Sequence, residues 1–194
     1  MNASATIQIA RMSVAEFLSW NPGGPEKWQL LDGEPVAMAP ANRSHGALQG
    51  ELARLIGNHL TARRGECSVV VEPGVVPRAR SGFNVRIPDL AVTCSAYELE
   101  EATISAPVLI VEILSPSNEA ETRANVWAYT TIPSVQEILV VRTTQIAAEL
   151  LRRDQDGSWP ESPDMLADGD TLELASIGLT LKLSEAYATT RLAS

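Results

Sequence analysis

Two runs decide how the chain is read: Arg-Ile-Pro-Asp-Leu-Ala-Val at residues 86–92, and Pro-Val-Leu-Ile-Val-Glu-Ile-Leu-Ser-Pro-Ser at residues 107–117. Each is a short apolar, strand-like stretch with one carboxylate inside it, Asp89 in the first and Glu112 in the second. A carboxylate within a buried strand is costly unless something pairs with it. Two of them on strands close in sequence point to shared chemistry, most simply one divalent cation held between them. The competing expectation is that each acid pairs with a nearby arginine, Arg86 being the obvious one.

The second run is the most apolar segment of the chain, so residues 107–114 are expected to form a central strand covered on both faces. Residues 85–93 are expected to be a strand with Asp89, Ala91 and Thr93 on one face and Leu90 and Val92 on the other. Upstream, Ser13 and Glu16 form a capping-box pattern that starts a helix running to about Trp20. The runs 28–31 and 34–38 flank Asp32-Gly33, a hairpin signal. Leu48, Leu52, Leu55, Ile56 and Leu60 recur at helical spacing, predicting a helix from His45 to about Arg64, capped by Ser44 and ended by Gly65. Residues 67–71 and 75–78 read as strands around Glu72-Pro73-Gly74, and the acidic stretch 95–104 as a surface helical turn.

Downstream, Asn118 is expected to cap a helix to about Thr131, with Ile132-Pro133-Ser134 ending it. Residues 136–141 and 147–153 read as closing strands. Residues 172–174 and 179–183 read as late strands, followed by a helical turn over 184–188. This pattern belongs to the α/β (α+β) class, with a mixed central sheet, helices on its faces and hairpins at both ends. A chain of 194 residues suits one domain. Its expected limits are 13–188, with a loose segment at 1–12 and a tail at 189–194.

The hydrophobic share of 45% and charged share of 20% describe a globular chain. No secretory signal or membrane span is expected: residues 1–11 lack a basic opening and an apolar block, and the longest apolar run is broken by Glu112. Cys67 and Cys94 show no metal-ligand spacing and need not be bonded, so a reducing cytoplasm is the expected compartment. The net charge of −9 excludes a protein that coats nucleic acid nonspecifically, because that binding rests on neutralising phosphates. It does not exclude a nuclease. Arg63-Arg64, Arg78 with Arg80 and Arg86, and Arg152-Arg153 are the clusters that could face DNA, against the simpler expectation of scattered, solvated arginines.

Other candidates surround the acid pair. Glu72, at a strand end, is a possible third oxygen ligand or a solvated turn carboxylate. His45, in the first turn of its helix, is a possible proton carrier near neutral pH. Glu51 on the same helix is expected to be solvated. There is no Gly-x-Ser-x-Gly elbow, no Walker loop and no Gly-x-Gly-x-x-Gly. Ser115-Pro116-Ser117 reads as the turn between strand and helix, and nothing near Cys94 would activate it.

Taken together, Leu31-Asp32-Gly33-Glu34, Ser44-His45, Glu72-Pro73-Gly74, Pro88 to Val92 and Val111 to Ser117 resemble the Uma2 family of restriction-endonuclease-like proteins. Ile132 to Glu137 and Leu174 to Gly178 extend the resemblance over residues 13–187. The resemblance implies the restriction-endonuclease-like fold with a Pro-Asp…(Asp/Glu)-x-Lys site, cutting DNA phosphodiesters with Mg²⁺ or Mn²⁺. Carried over by position, Asp89 and Glu112 match the metal-binding acids, and Glu72 and His45 match positions close to the site. A homodimer is implied too.

One departure matters. The expected lysine two residues after Glu112 is Leu114 here, and the following helix, where many members carry it, has none. The two lysines are Lys27 and Lys182, and neither lies near the motif in the chain. Arg123 is the only cation on that helix; it either stabilises phosphoryl charge or pairs with Glu119 at i,i+4 spacing. The expected function is therefore a Mg²⁺-dependent endonuclease with a degenerate site, or alternatively a nuclease fold that has lost catalysis and serves as an interaction module.

Overall fold

The structure is a computed structural model that describes residues 11–193. The expected loose segment at 1–12 therefore lies outside the described residues, except at its end, where the Met12 N–H donates to the Gly33 carbonyl at 2.9 Å. Helix α1, Val14–Ser19, carries the expected reciprocal capping box between Ser13 and Glu16. Strands β1, Trp28–Leu31, and β2, Glu34–Ala37, form an antiparallel hairpin. Its turn needs positive φ at both central residues, and Asp32 (φ 51°) and Gly33 (φ 88°) supply it.

Helix α2, Arg43–Ala62, begins earlier than the sequence suggests. The cap is Asn42, not Ser44: its side chain accepts from the His45 N–H at 3.0 Å. Leu48, Leu52, Ile56 and Leu60 of the α2 stripe are buried and Leu55 is partly so, but Glu51 is buried too, paired with Arg54.

The central sheet has six strands in the order β3-β4-β5-β6-β7-β8: Ser68–Val71, Leu90–Thr93, Pro107–Leu114, Glu137–Arg142, Ala147–Arg152 and Asp164–Ala167. All neighbours are antiparallel except β5 and β6, which run parallel. The crossover between those two is helix α3, Glu119–Thr130. A second hairpin, β9 (Thr171–Leu174) with β10 (Leu179–Lys182), and a 3-10 turn over Leu183–Tyr187 complete the described fold.

Residues 75–78 do not form a strand; Gly74 and Val75 make isolated bridges only. Pro73 and Pro77 remove donors that a ladder would need. Pro88 likewise delays β4 to Leu90, leaving Val85 and Arg86 in separate bridges. Residues 95–104 hold turns rather than a helix. Strand β8 has no sequence signal, since Asp164–Ala167 is an exposed edge without apolar alternation. Asn118 occupies the start of α3 without capping it; its carboxamide oxygen accepts instead from Ser115 N (2.7 Å) and Ser115 Oγ (3.0 Å).

The sheet separates two cores. One packs Leu90, Val92, Leu109, Val111 and Ile113 against α2 and the C-terminal hairpin. The other packs Ala91, Ile110, Leu114 and Val140 against Val126 and Tyr129 of α3. The alternation read in residues 89–93 is thus the division between two layers. Cys67 and Cys94 lie beside each other at the β3–β4 end and are joined by a disulfide. The sequence left their bonding open; the disulfide removes the cysteine-based argument for a reducing compartment. The sequence separates them by 27 residues, whereas antiparallel pairing of their strands makes them neighbours.

Candidate active site

The register β4–β5 sets Leu90 opposite Val111, so the next pair out is Asp89 and Glu112. Asp89 accepts from the Ile113 N–H at 2.6 Å through Oδ2 and contacts His45 Nε2 at 2.6 Å through Oδ1. Glu112 is 5% exposed and accepts from the Tyr129 hydroxyl at 2.7 Å. Burial, and then the charge of Asp89 beside it, push the Glu112 carboxyl well above its usual range. Burial and the adjacent Glu112 likewise push Tyr129 up, so its phenol stays protonated and donates.

Arg86 pairs with neither acid, which corrects the competing arginine expectation. Its guanidinium bonds Asn125 Oδ1 at 2.9 Å and Asn84 Oδ1 at 3.3 Å. Among the described residues no cation forms a salt bridge to Glu112.

The sequence-derived candidates separate. Asp89, Glu112 and His45 come together. Glu72 adjoins them through its backbone, donating to the Asp89 carbonyl at 3.0 Å, but its carboxylate is paired with Lys27. Lys27, remote from the motif in sequence, therefore reaches its margin. Among the described residues no three His, Cys, Asp or Glu side chains form a ready-made metal cage.

Arg123 is not brought to the pair. It holds the nearly buried Glu149 with both guanidinium nitrogens, one at 2.8 Å, and lies 3.6 Å from Glu119. The i,i+4 pairing read from the sequence is present, alongside a stronger partner that the sequence did not indicate.

The donor chemistry at Asp89 and Glu112 fits a hard divalent cation. Two adjoining carboxylates, one deeply buried, offer only oxygens, and Mg²⁺ needs no more than one or two with water completing its shell.

Four further residues, Gln29, Glu121, Asn125 and Tyr129, were missed by sequence reasoning. Helix α3 presents Glu121, Asn125 and Tyr129 at i, i+4 and i+8, which is one stripe. Each bonds a different partner from the sheet side: Glu121 accepts from Gln29 of β1, Asn125 from Arg86 in the segment before β4, and Tyr129 donates to Glu112 of β5. The four-residue spacing was the available signal, but a stripe that includes acid and amide residues reads as a solvated face.

Comparisons with known proteins bear on the family and the fold. Residues 14–184 match the Uma2 family, described as "Putative restriction endonuclease". The chain belongs to the Uma2 family. It is 30% identical to the Synechocystis protein slr1290 over 186 residues, covering 95% of each chain. It is 26% identical to a second Synechocystis protein, sll1609, over 82% of this chain and 89% of that one. In structure it resembles a "putative nuclease belonging to DUF820" from Anabaena variabilis, with a TM-score of 0.73 at 17% identity, over 91% of this chain and 98% of that one. This Uma2 chain thus has the nuclease-like fold expected from its motifs. No helix among its described residues is long and apolar enough to cross a membrane.

Proposed function

We propose that this protein is an endonuclease that hydrolyses DNA phosphodiester bonds with Mg²⁺, or Mn²⁺, held between Asp89 and Glu112. The observation that carries the reading is the cross-strand apposition of these two acids with no protein cation on Glu112. Bound there, the cation would polarise a phosphoryl oxygen and ease ionisation of an attacking water. The chain's own part is orientation. The Ile113 N–H and His45 fix the two oxygens of Asp89, while Tyr129 fixes one oxygen of Glu112. Such bonds to ligating groups hold them in register for the ion. In this reading His45, which touches Asp89, would pass a proton.

A second reading, a nuclease fold that has lost catalysis and serves in binding, is favoured by one observation. Neither β5 after Glu112 nor α3 carries a lysine, while Lys27 and Arg123 are engaged by Glu72 and Glu149.

Purified protein incubated with plasmid and single-stranded DNA plus Mg²⁺ or Mn²⁺ separates the two. Cleavage that falls to background in Asp89→Asn and Glu112→Gln supports the first reading. No cleavage with either metal, together with no calorimetric Mn²⁺ binding, overturns it. Pairing of two copies belongs to the same proposal, since cutting a duplex calls for one site per strand; light scattering of the eluted peak reads it. DNA as substrate implies the cytoplasm, where the Cys67–Cys94 bond would face a reducing poise.

A further inference from the structure

Arg86 is held in place by neutral side chains: Asp32 and Glu121 act on its charge from nearby, but no carboxylate among the described residues forms a salt bridge with it. The bridge Leu30↔Val85 is antiparallel, so Gln29 and Arg86 are the adjoining pair. Leu30 and Val85 are fully buried on one side, which turns Gln29 and Arg86 to the other. The second bridge, Val75↔Arg86, puts Arg86 on the same side as Val75, a member of the α3-facing core. There its guanidinium meets the middle residue of the Glu121, Asn125, Tyr129 stripe. One helical turn, about 6 Å along the axis, separates Asn125 from Tyr129, which holds Glu112.

Both acceptors of Arg86, Asn125 and Asn84, are neutral amides. No carboxylate among the described residues lies within ion-pair distance of it. Its Nε is buried without a hydrogen-bond partner, as is Oε1 of the fully buried Gln29 next to it. A half-buried guanidinium with only neutral acceptors is an incomplete arrangement, and a planar fork of this kind is matched by a phosphate oxyanion. Lys27 and Arg123 do not compete for that role, because each already meets a carboxylate.

We infer that Arg86, presented by the segment just before Asp89 and steered by Asn125, is the phosphate-binding cation of the site. It supplies from the bridged segment before β4 the positive charge that α3 does not bring to the acid pair. The inference rests on the nuclease reading above and adds the residue that meets the scissile or adjoining phosphate.

The test compares the parent protein with Arg86→Gln and Arg86→Lys. Binding of a short fluorescent DNA duplex is followed by anisotropy in EDTA across a salt series, and cleavage is followed with Mn²⁺. For Arg86→Gln the slope of log affinity against log salt should shrink by about 0.9, the share of one phosphate contact. Cleavage should fall by about a hundredfold or more, the usual loss on removing one charge-stabilising donor. Mn²⁺ binding by calorimetry should stay at the parent level, which shows that the fold and the acid pair are intact. Arg86→Lys should keep the parental salt slope. A parental slope and rate in Arg86→Gln, or a reduced slope in Arg86→Lys, overturns the assignment to Arg86 while leaving the nuclease reading standing. A parent protein that neither binds nor cleaves the duplex overturns both.

Discussion

At the residue scale the site turns on a carboxylate that the fold pushes toward its neutral form. Glu112 is buried beside Asp89, and Tyr129 donates to it from α3. Tyr129→Phe removes that donor without opening a cavity. We expect a loss of about 1–3 kcal/mol in unfolding free energy, the range for a hydrogen bond to a charged or strongly polar buried group. In a Glu112→Gln background the same change should cost less, because the two groups act as a unit. Denaturant titration of the four proteins measures this; equal losses in both backgrounds would show that the bond contributes nothing specific.

Elements are tied together by a second set of charges on the α3 side of the sheet. Glu112, Val140 and Glu149 lie in one row across β5, β6 and β7. Glu149 gathers Arg123 from α3 and Arg142 from β6, so it clamps the helix to the sheet two strands away from Glu112. Hydrogen bonds from Arg123 hold the Glu149 carboxyl below its usual range. A folded-state pKa below the unfolded value means stability that is present above the unfolded pKa and lost as pH falls through the folded one. The parent should therefore weaken on acidification below about pH 4.5, near the ordinary carboxylate value. Glu149→Gln should be less stable at pH 7, and the gap should narrow in acid. Thermal melts between pH 3 and 7 check this; a constant gap would remove the ion pair from the account.

The neighbouring arginines are also consumed by the fold. Arg152 pairs with the buried Glu137, and Arg153 donates to the Thr130, Ile132 and Val135 carbonyls, the first two at the C-terminal end of α3. Arg80 pairs with Asp32. Sequence clusters that suggested a DNA-facing patch, or simply solvated side chains, are in these cases structural.

For the whole molecule, a net charge of −9 with so many arginines engaged leaves little surface for nonspecific DNA attraction. Binding to DNA should therefore be local to the site. The Cys67–Cys94 bond joins residues 27 apart in the chain and encloses β3, β4 and the segment that connects them. In the chain-entropy picture, reduction should cost about 3–4 kcal/mol. Thiol titration of the denatured, unreduced protein should find no free thiols, and the unfolding midpoint should drop with reductant. Two free thiols in a freshly purified, oxidised sample would sink this prediction.

The sequence by itself determined the layers and the acid pair. Apolar periodicity, the capping box, the Asp32-Gly33 turn and the buried run 107–114 are local signals that survive folding, and Asp89 and Glu112 stand out because apolar strands seldom carry acids. Only the tertiary structure decided what surrounds them. Register made Asp89 and Glu112 cross-strand neighbours and brought Cys67 to Cys94, while the crossover set the α3 stripe against Gln29, Arg86 and Glu112. Those partners lie between 17 and 92 residues apart in the chain. No local pattern encodes which charge meets which at that distance, so the sequence left two readings each for Arg123 and Arg86, and the fold set Arg123 on Glu149 and Arg86 on Asn125 and Asn84.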